Sequence, residues 1–521
     1  MALEKNQKSR IKEYPRVEID FSPIIPPMKK ITDKTQVDVR YCLISPFAYA
    51  HVHWDPQIYE LVYEVEEPLL NKIEQGYLER IIVGIREMIN FDVIVEKDLQ
   101  GLLEYIDRKF KILAIEFGFD MSYESYRKIY YYLCRDFIGF NEVEPLLKDY
   151  FVEDIECNGV NTPLYLVHRV YRNMKTNIQF KEMERLEGFV EKLAQRCGRY
   201  ISYANPILDG SLPDGSRVNA TYTKDITSRG PTFTIRKFTK EPWTPPQLIA
   251  FNTLSPEMFA YLWLLIEHKM NILIAGGTGS GKTSLLNAMA FFMPPEDRVV
   301  SIEDTRELNF PRENWLPSVV RSSSGIEGVG EIDLFTLLRS SFRQNPDYVI
   351  VGEVRGKEAF VLFQGMASGH ASVSTIHADS VDSVIKRLET PPIELPPTLL
   401  NVLDCVCIMT HALVNKQETR KLREIVEIIE VNPEGVAFTN TPFMWNPSDD
   451  NFYFKKDSKI FKKISKRFGM TVEEIELEFK RRVELLYKMY KQKIFGFEEV
   501  QQIINEYYKK PLEVLKRFKI D

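Results

Sequence analysis

The rhythm of apolar and polar positions changes near residue 250, and the change predicts two architectures in one chain. Before it, "VDVRYCLISPFAYAHVHWDPQIYELVYEVEEP" sets Val, Tyr and Ile in rough alternation with polar residues, which predicts strands. Helical periodicity follows over 69–91 and again across 97–150, with aromatic-rich faces such as "YRKIYYYLCRDF". "EDIECNGVNTPLYLVHRVY" reads as strands and a turn, 181–198 as a helix, and 207–236 as turns with short strands. Beyond 250, strands alternate with helices: "NILIAG", "RVVSIED", "DYVIVGE", "ASVSTIH", "CVCIMT" and "REIVEIIEV". That alternation predicts a mainly parallel α/β domain. Between the halves, "KFTKEPWTPPQLI" (237–249) is rich in proline and polar residues and reads as a linker. Residues 1–40 read as a mobile arm or an extended contact segment. The expected division is therefore an arm over 1–40, an N-terminal domain over 41–236, the linker, a core over 250–445, and charged amphipathic helices over 446–521.

Composition narrows the class. At 521 residues the chain is too long for one core. A formal charge of −6, from 68 basic against 74 acidic residues, gives no general pull toward nucleic acid or anionic lipid. No apolar run approaches the ~20 residues that span a bilayer. The N-terminus lacks the apolar segment of a secretion signal. The six cysteines are scattered without a CxxC pair, so they are expected to be reduced and structural in a cytoplasmic protein.

Chemistry concentrates after residue 270. "GGTGSGKT", Gly276–Thr283, fits GxxxxGK[ST] between an apolar strand and a helix. Gly276, Gly277, Gly279 and Gly281 let backbone N–H groups turn inward around a phosphate, with Thr278, Ser280 and Ser284 beside them. A helix beginning near Lys282 adds its positive end. Lys282 is expected to neutralise the β- and γ-phosphates, and the Thr283 hydroxyl to ligate Mg²⁺. The chain is therefore read as binding a nucleoside triphosphate.

Two further apolar strands end in acid. "VVSIEDTREL" offers Glu303, Asp304 and Glu307, and "NPDYVIVGEVRG" offers Glu353. Glu303 is expected to orient or deprotonate the attacking water, and Glu353 to reach the metal, directly or through water. Gly352 stands where most phosphate-loop enzymes carry Asp, and Asp347 begins its strand at the wrong end to replace it. In "SGHASVSTIHADS", His377 closes a strand of small residues and is expected to sense the γ-phosphate. His370 lies at the other end, where packing or a subunit contact is the expectation.

Together, "GGTGSGKT", "SIEDTREL", "VIVGEVRG" and "GMASGHASVSTIHADS" resemble the secretion-superfamily ATPases of type II secretion, type IV pili and archaeal surface filaments. The resemblance covers about residues 150–430. "LPDGSRVNATYT" and "ENWLPSVVRSSS" lean toward the archaeal branch, which includes archaellum and archaeal pilus motors. It implies a mixed α/β N-terminal domain, a flexible linker and a RecA-like C-terminal ATPase, six copies forming a ring. It implies ATP and Mg²⁺, a polytopic membrane platform protein, accessory cytoplasmic motor proteins, and a place at the inner face of the membrane, with no nucleic acid. It also implies N-terminal-domain arginines that reach bound nucleotide, for which Arg217, Arg229 and then Arg236 match; Arg321 and Arg343 are alternatives within the ring. The tetracysteine zinc module of bacterial type II secretion ATPases is absent, which removes zinc from the expectation. Conjugative DNA translocation and a slow nucleotide-controlled scaffold are the competing readings. The basic run over 455–467 and Lys5, Lys8, Arg10 and Lys12 of the arm are possible membrane or partner contacts.

Overall fold

Continuous apolar runs and alternating ones sort into two different sheets. The computed structural model describes residues 15–21, 33–88, 99–238, 240–321, 330–414, 417–455 and 457–520. They form two compact units, 1–238 and 239–521.

The first unit holds β1 (Asp38–Ile44), β2 (Ala48–Asp55), β3 (Glu60–Glu66), β4 (Val152–Cys157), β5 (Pro163–His168), β6 (Arg172–Gln179), β7 (Ile207–Ser211), β8 (Arg217–Thr221) and β9 (Thr232–Arg236). Their order is β1-β2-β3-β6-β5-β4-β9-β8-β7. Neighbours are antiparallel except β3 and β6. Alternation along β2 buries Ala48, Ala50 and Val52 and turns the residues between them outward, the signature of a one-sided sheet. Helices Lys72–Met88, Leu99–Glu116, Tyr123–Phe137 and Met183–Arg196 contribute Ile81, Phe110, Ile129 and Leu193 to the same core.

Part of the expected arm belongs to this unit. Val17 is buried in its core, and Asp20 and Ser45 exchange backbone hydrogen bonds of 3.0 and 3.1 Å. The four arm cations singled out above, Lys5 to Lys12, lie outside the described residues.

The second unit holds β10 (Ile272–Gly276), β11 (Val299–Glu303), β12 (Trp315–Val319), β13 (Tyr348–Val354), β14 (Ala371–Ile376), β15 (Cys405–Val414), β16 (Gln417–Val431), β17 (Ala437–Asn446) and β18 (Asn451–Phe454). Their order is β12-β11-β13-β14-β10-β15-β16-β17-β18. β12 through β15 run parallel, and β16 to β18 add an antiparallel edge. β10, β11 and β14 are buried at every position, because apolar clusters cover both faces of the sheet. The small residues of β14 serve this crowding: Ser374 and Thr375 donate to the Val351 and Gly352 carbonyls of β13 at 2.8 and 2.7 Å.

The expected linker narrows from both sides. Lys237 closes the first unit, its N–H donating to the Glu153 carbonyl at 2.8 Å. Pro245–Ala250 is a helix of the second unit, begun by a Thr244–Gln247 capping box and by prolines at its first positions, where a missing N–H costs nothing. The strand β18 precedes the C-terminal helices Lys459–Phe468, Val472–Lys491, Phe497–Lys509 and Pro511–Phe518, and all four pack into the core that holds β10.

Candidate functional site

Four neighbouring parallel strands, β11, β13, β14 and β10, bring the expected side chains to one edge of the second sheet. The phosphate loop follows β10. Gly279 and Gly281 take φ values of +71° and +97°, open to glycine at no steric cost. Gly276 is required by space, since a Cβ there would stand 2.5 Å from the Ser280 hydroxyl and 2.7 Å from the Met409 carbonyl. Gly277, Thr278 and Gly279 are exposed, whereas Ser280 is buried and donates to the Gly277 carbonyl at 2.8 Å. Lys282, Thr283 and Ser284 open the helix Lys282–Ala290.

Lys282 is buried, and its ammonium donates to the Gly276 and Gly277 carbonyls, both at 2.9 Å. Its Nζ is also 3.4 Å from His377 Nε2. Burial lowers the Lys282 pKa, while Glu353 and Glu307 oppose that shift. His377 follows β14 directly and reaches Glu353 Oε1 at 3.3 Å. Its pKa is lowered by burial and by the Lys282 charge. Arg355 holds the other Glu353 oxygen at 2.5 Å, a bond that raises the arginine's own pKa. Lys282, His377, Glu353 and Arg355 thus form one chain of polar contacts.

Glu303 has a different setting. It is 2% exposed, and Oε1 accepts from the Glu307 and Leu308 N–H groups, both at 2.8 Å. Oε2 is buried without a hydrogen-bond partner. Burial pushes its pKa up to about 8, against the two backbone bonds that lower it. The structure also accounts for Gly352. A Cβ there would press on Glu303 Cγ at 3.2 Å, so the room an Asp would need is taken by Glu303.

Sequence reasoning left Glu307 without a role. It accepts a hydrogen bond from the Thr283 hydroxyl at 3.1 Å, and the Asn287 amide, one turn along the helix from Thr283, donates to the Glu307 carbonyl at 3.3 Å. Its place four residues beyond Glu303, after the strand end, was the available signal. Thr283, Glu307 and Glu353 offer one hydroxyl and two carboxylates, the hard oxygen donors that Mg²⁺ takes. Glu353 Oε1 lacks a hydrogen-bond partner and has acceptor capacity to spare. The residues present therefore fit the ion.

The other expected residues fall elsewhere. His370 packs edge-on against Phe342 with ring centroids 4.9 Å apart, a packing role at the far end of β14. Asp347 caps the start of β13 and accepts from the Arg298 N–H at 2.9 Å. Arg321 reaches the Gly330 carbonyl at 2.6 Å, and Arg343 lies in the short helix Phe342–Gln344. Arg217, Arg229 and Arg236 belong to the first unit. Arg217 and Arg236 face each other across β8 and β9, and Arg217 pairs with Asp209 at 3.0 Å. The Arg229 carbonyl accepts from the Val160 N–H at 3.0 Å.

The family described as Type II/IV secretion system protein matches residues 141–435. Uncharacterized protein MJ0900 of Methanocaldococcus jannaschii is 38% identical over 425 residues, covering 80% of this chain and 74% of its own length. Conjugal transfer protein TrbB of Rhizobium radiobacter is 32% identical over 228 residues, 43% of this chain and 68% of its own. Among solved structures, the VirB11 ATPase of the Brucella suis type IV secretion system is similar at 24% identity. That match covers 54% of this chain and 95% of that one, with a TM-score of 0.28. No helix among the described residues is long and apolar enough to cross a membrane. By the span of the family match and the extent of its likeness to the archaeal relative, this chain is a member of the type II/IV secretion system protein family.

Proposed function

We propose that this chain is an ATPase that couples hydrolysis to the assembly of an archaeal surface filament, as a homo-hexamer on the cytoplasmic face of the membrane. The observation that carries the reading is the gathering of Lys282, Thr283, Glu303, Glu307, Glu353 and His377 at the carboxyl ends of adjacent parallel strands, where open α/β sheets bind ligands. On nucleotide binding, Lys282 exchanges its loop carbonyls for phosphate oxygens, and exposed N–H groups of Gly277–Gly279 turn to the same anion. Mg²⁺ held by Thr283, Glu307 and Glu353 would supply charge neutralisation for the phosphates. Glu303 takes the proton of the attacking water at Oε2, the oxygen that carries no hydrogen bond. His377, between Lys282 and Glu353, registers the γ-phosphate through both.

Arg217, Arg229 and Arg236 supply further positive charge from the first unit, and a polytopic membrane platform protein with accessory motor proteins receives the motion. The likeness to a conjugal transfer protein keeps a DNA-translocating reading as the alternative. The test is phosphate release by the purified chain. Wild type is expected to turn over ATP with Mg²⁺, and Lys282→Ala to lose at least about 100-fold in kcat/KM. Equal turnover by both overturns the ATPase reading, and stimulation of the wild type by DNA moves it to the alternative.

A further inference from the structure

The edge strands of the first unit carry imidazoles and carboxylates that nucleotide chemistry does not use. Alternation in β2 turns His51 and His53, two residues apart, to the same outward face. Register then sets Glu64 of β3 opposite His51, and Asp38 of β1 opposite His53. His51, His53 and Glu64 each bring a ligand atom to within 4.8 Å of the others. The two rings lie 4.5 Å apart, inclined by 33°. His53 Nδ1 is buried and has no hydrogen-bond partner. His51 Nε2 stands 2.7 Å from Asp38 Oδ1, and its Nδ1 3.7 Å from Glu66 Oε1. Glu66 is itself held by Arg40 at 2.6 Å.

From this arrangement we infer that His51, His53 and Glu64 form a site for a divalent transition-metal ion, specifically Zn²⁺. Two imidazoles and one carboxylate on a single face are a set that borderline-soft ions take, unlike the oxygen donors that hold Mg²⁺. Tetrahedral Zn²⁺ with bonds near 2.1 Å sets its ligands about 3.4 Å apart, so small side-chain rotations close the observed set around one ion. Asp38 acts as the positioning residue: by accepting from His51 Nε2 it leaves Nδ1 for the metal and makes the ring more basic. The fourth position is open to water. The bound ion ties β2 to β3 across the outward face, adding to the backbone ladder between His51 and Glu64.

The rival account is plain surface ion pairing, with His51 between Asp38 and Glu66 and no ion involved. The full chain, stripped with a chelator and returned to chelator-free buffer, is titrated with Zn²⁺ against a chromogenic competitor. Wild type is expected to bind one equivalent more than His51→Ala or His53→Ala. Glu64→Gln weakens that equivalent by about tenfold or more, and Asp38→Asn by about 10–100-fold. These side chains face outward, so circular dichroism and ATP turnover are expected to match wild type in every variant. Glu64→Gln, nearly isosteric, keeps the test valid should a histidine variant fold poorly. The proposal is overturned if wild type takes no Zn²⁺ from the competitor, or if His53→Ala and Glu64→Gln bind as many ions as tightly as wild type. Either result leaves the nucleotide site untouched.

Discussion

β11 and β13 lie side by side, and each ends its apolar run in a glutamate, yet the two carboxyls live under opposite conditions. Glu353 stands between two cations and an imidazole, bonded to Arg355, within the field of Lys282 and 3.3 Å from His377. Glu303 is sealed behind β13, gives one oxygen to two backbone N–H groups and leaves the other unpaired. Burial makes the second a proton carrier near neutral pH. On the proposed function, these different surroundings suit one acid to holding Mg²⁺ and the other to taking a proton.

The sharpest break of this contrast is a matched pair of amides. Glu303→Gln is expected to lower kcat by about 100- to 10,000-fold with nucleotide affinity little changed, as loss of a general base does. Glu353→Gln is expected to raise the Mg²⁺ concentration needed for half-maximal turnover, by about tenfold. Steady-state kinetics across a Mg²⁺ series separates them, and identical profiles for the two variants refute the division of labour. A smaller effect tests the wall between the acids. Gly352→Asp places a side chain against Glu303 and is expected to cost about 1–3 kcal/mol by denaturant unfolding, as overpacking does; no loss would mean that Glu303 yields freely.

The smallest effect is a pH dependence. Burial pushes the folded Glu303 carboxyl up to about 8 from its ordinary value of 4.5, so folding takes up a proton between those values. Stability from this group is therefore full below about pH 4.5 and is lost as pH rises through about 8. Wild type should thus lose stability relative to Glu303→Gln across that window, by an amount on the order of a few kcal/mol at most. A parallel pair of pH–stability curves would place the buried proton elsewhere.

Most of the candidate site's edge was legible because its signals are local. An apolar run closed by glycines marks β10 and its loop, and acid or imidazole at or beside a strand's end marks β11, β13 and β14. What stayed hidden depends on contacts far apart in sequence. Glu307 reaches Thr283 only after the chain turns back beyond β11, a turn that Glu303 itself stabilises through two N–H groups. The prolines at 245 and 246 look like breakers, but they start a helix and do not interrupt one. His51 and His53 gain meaning only once register sets Glu64 opposite His51. The charged helices after residue 455 show one apolar face each, which says that something covers them but not what.

What covers them is the sheet's own flank, with Trp263 at the seam. Its indole N–H donates to the Tyr508 hydroxyl at 2.8 Å, that hydroxyl donates to the Phe292 carbonyl at 2.6 Å, and Arg482 lies 4.7 Å over the indole ring. Phe292 follows the helix that the phosphate loop opens, so the tail and that helix share one wall. A chain truncated near residue 446 is thus expected to expose that helix's back to solvent. The tail is masonry for the candidate site, and swapping it between relatives exchanges part of the site's support too.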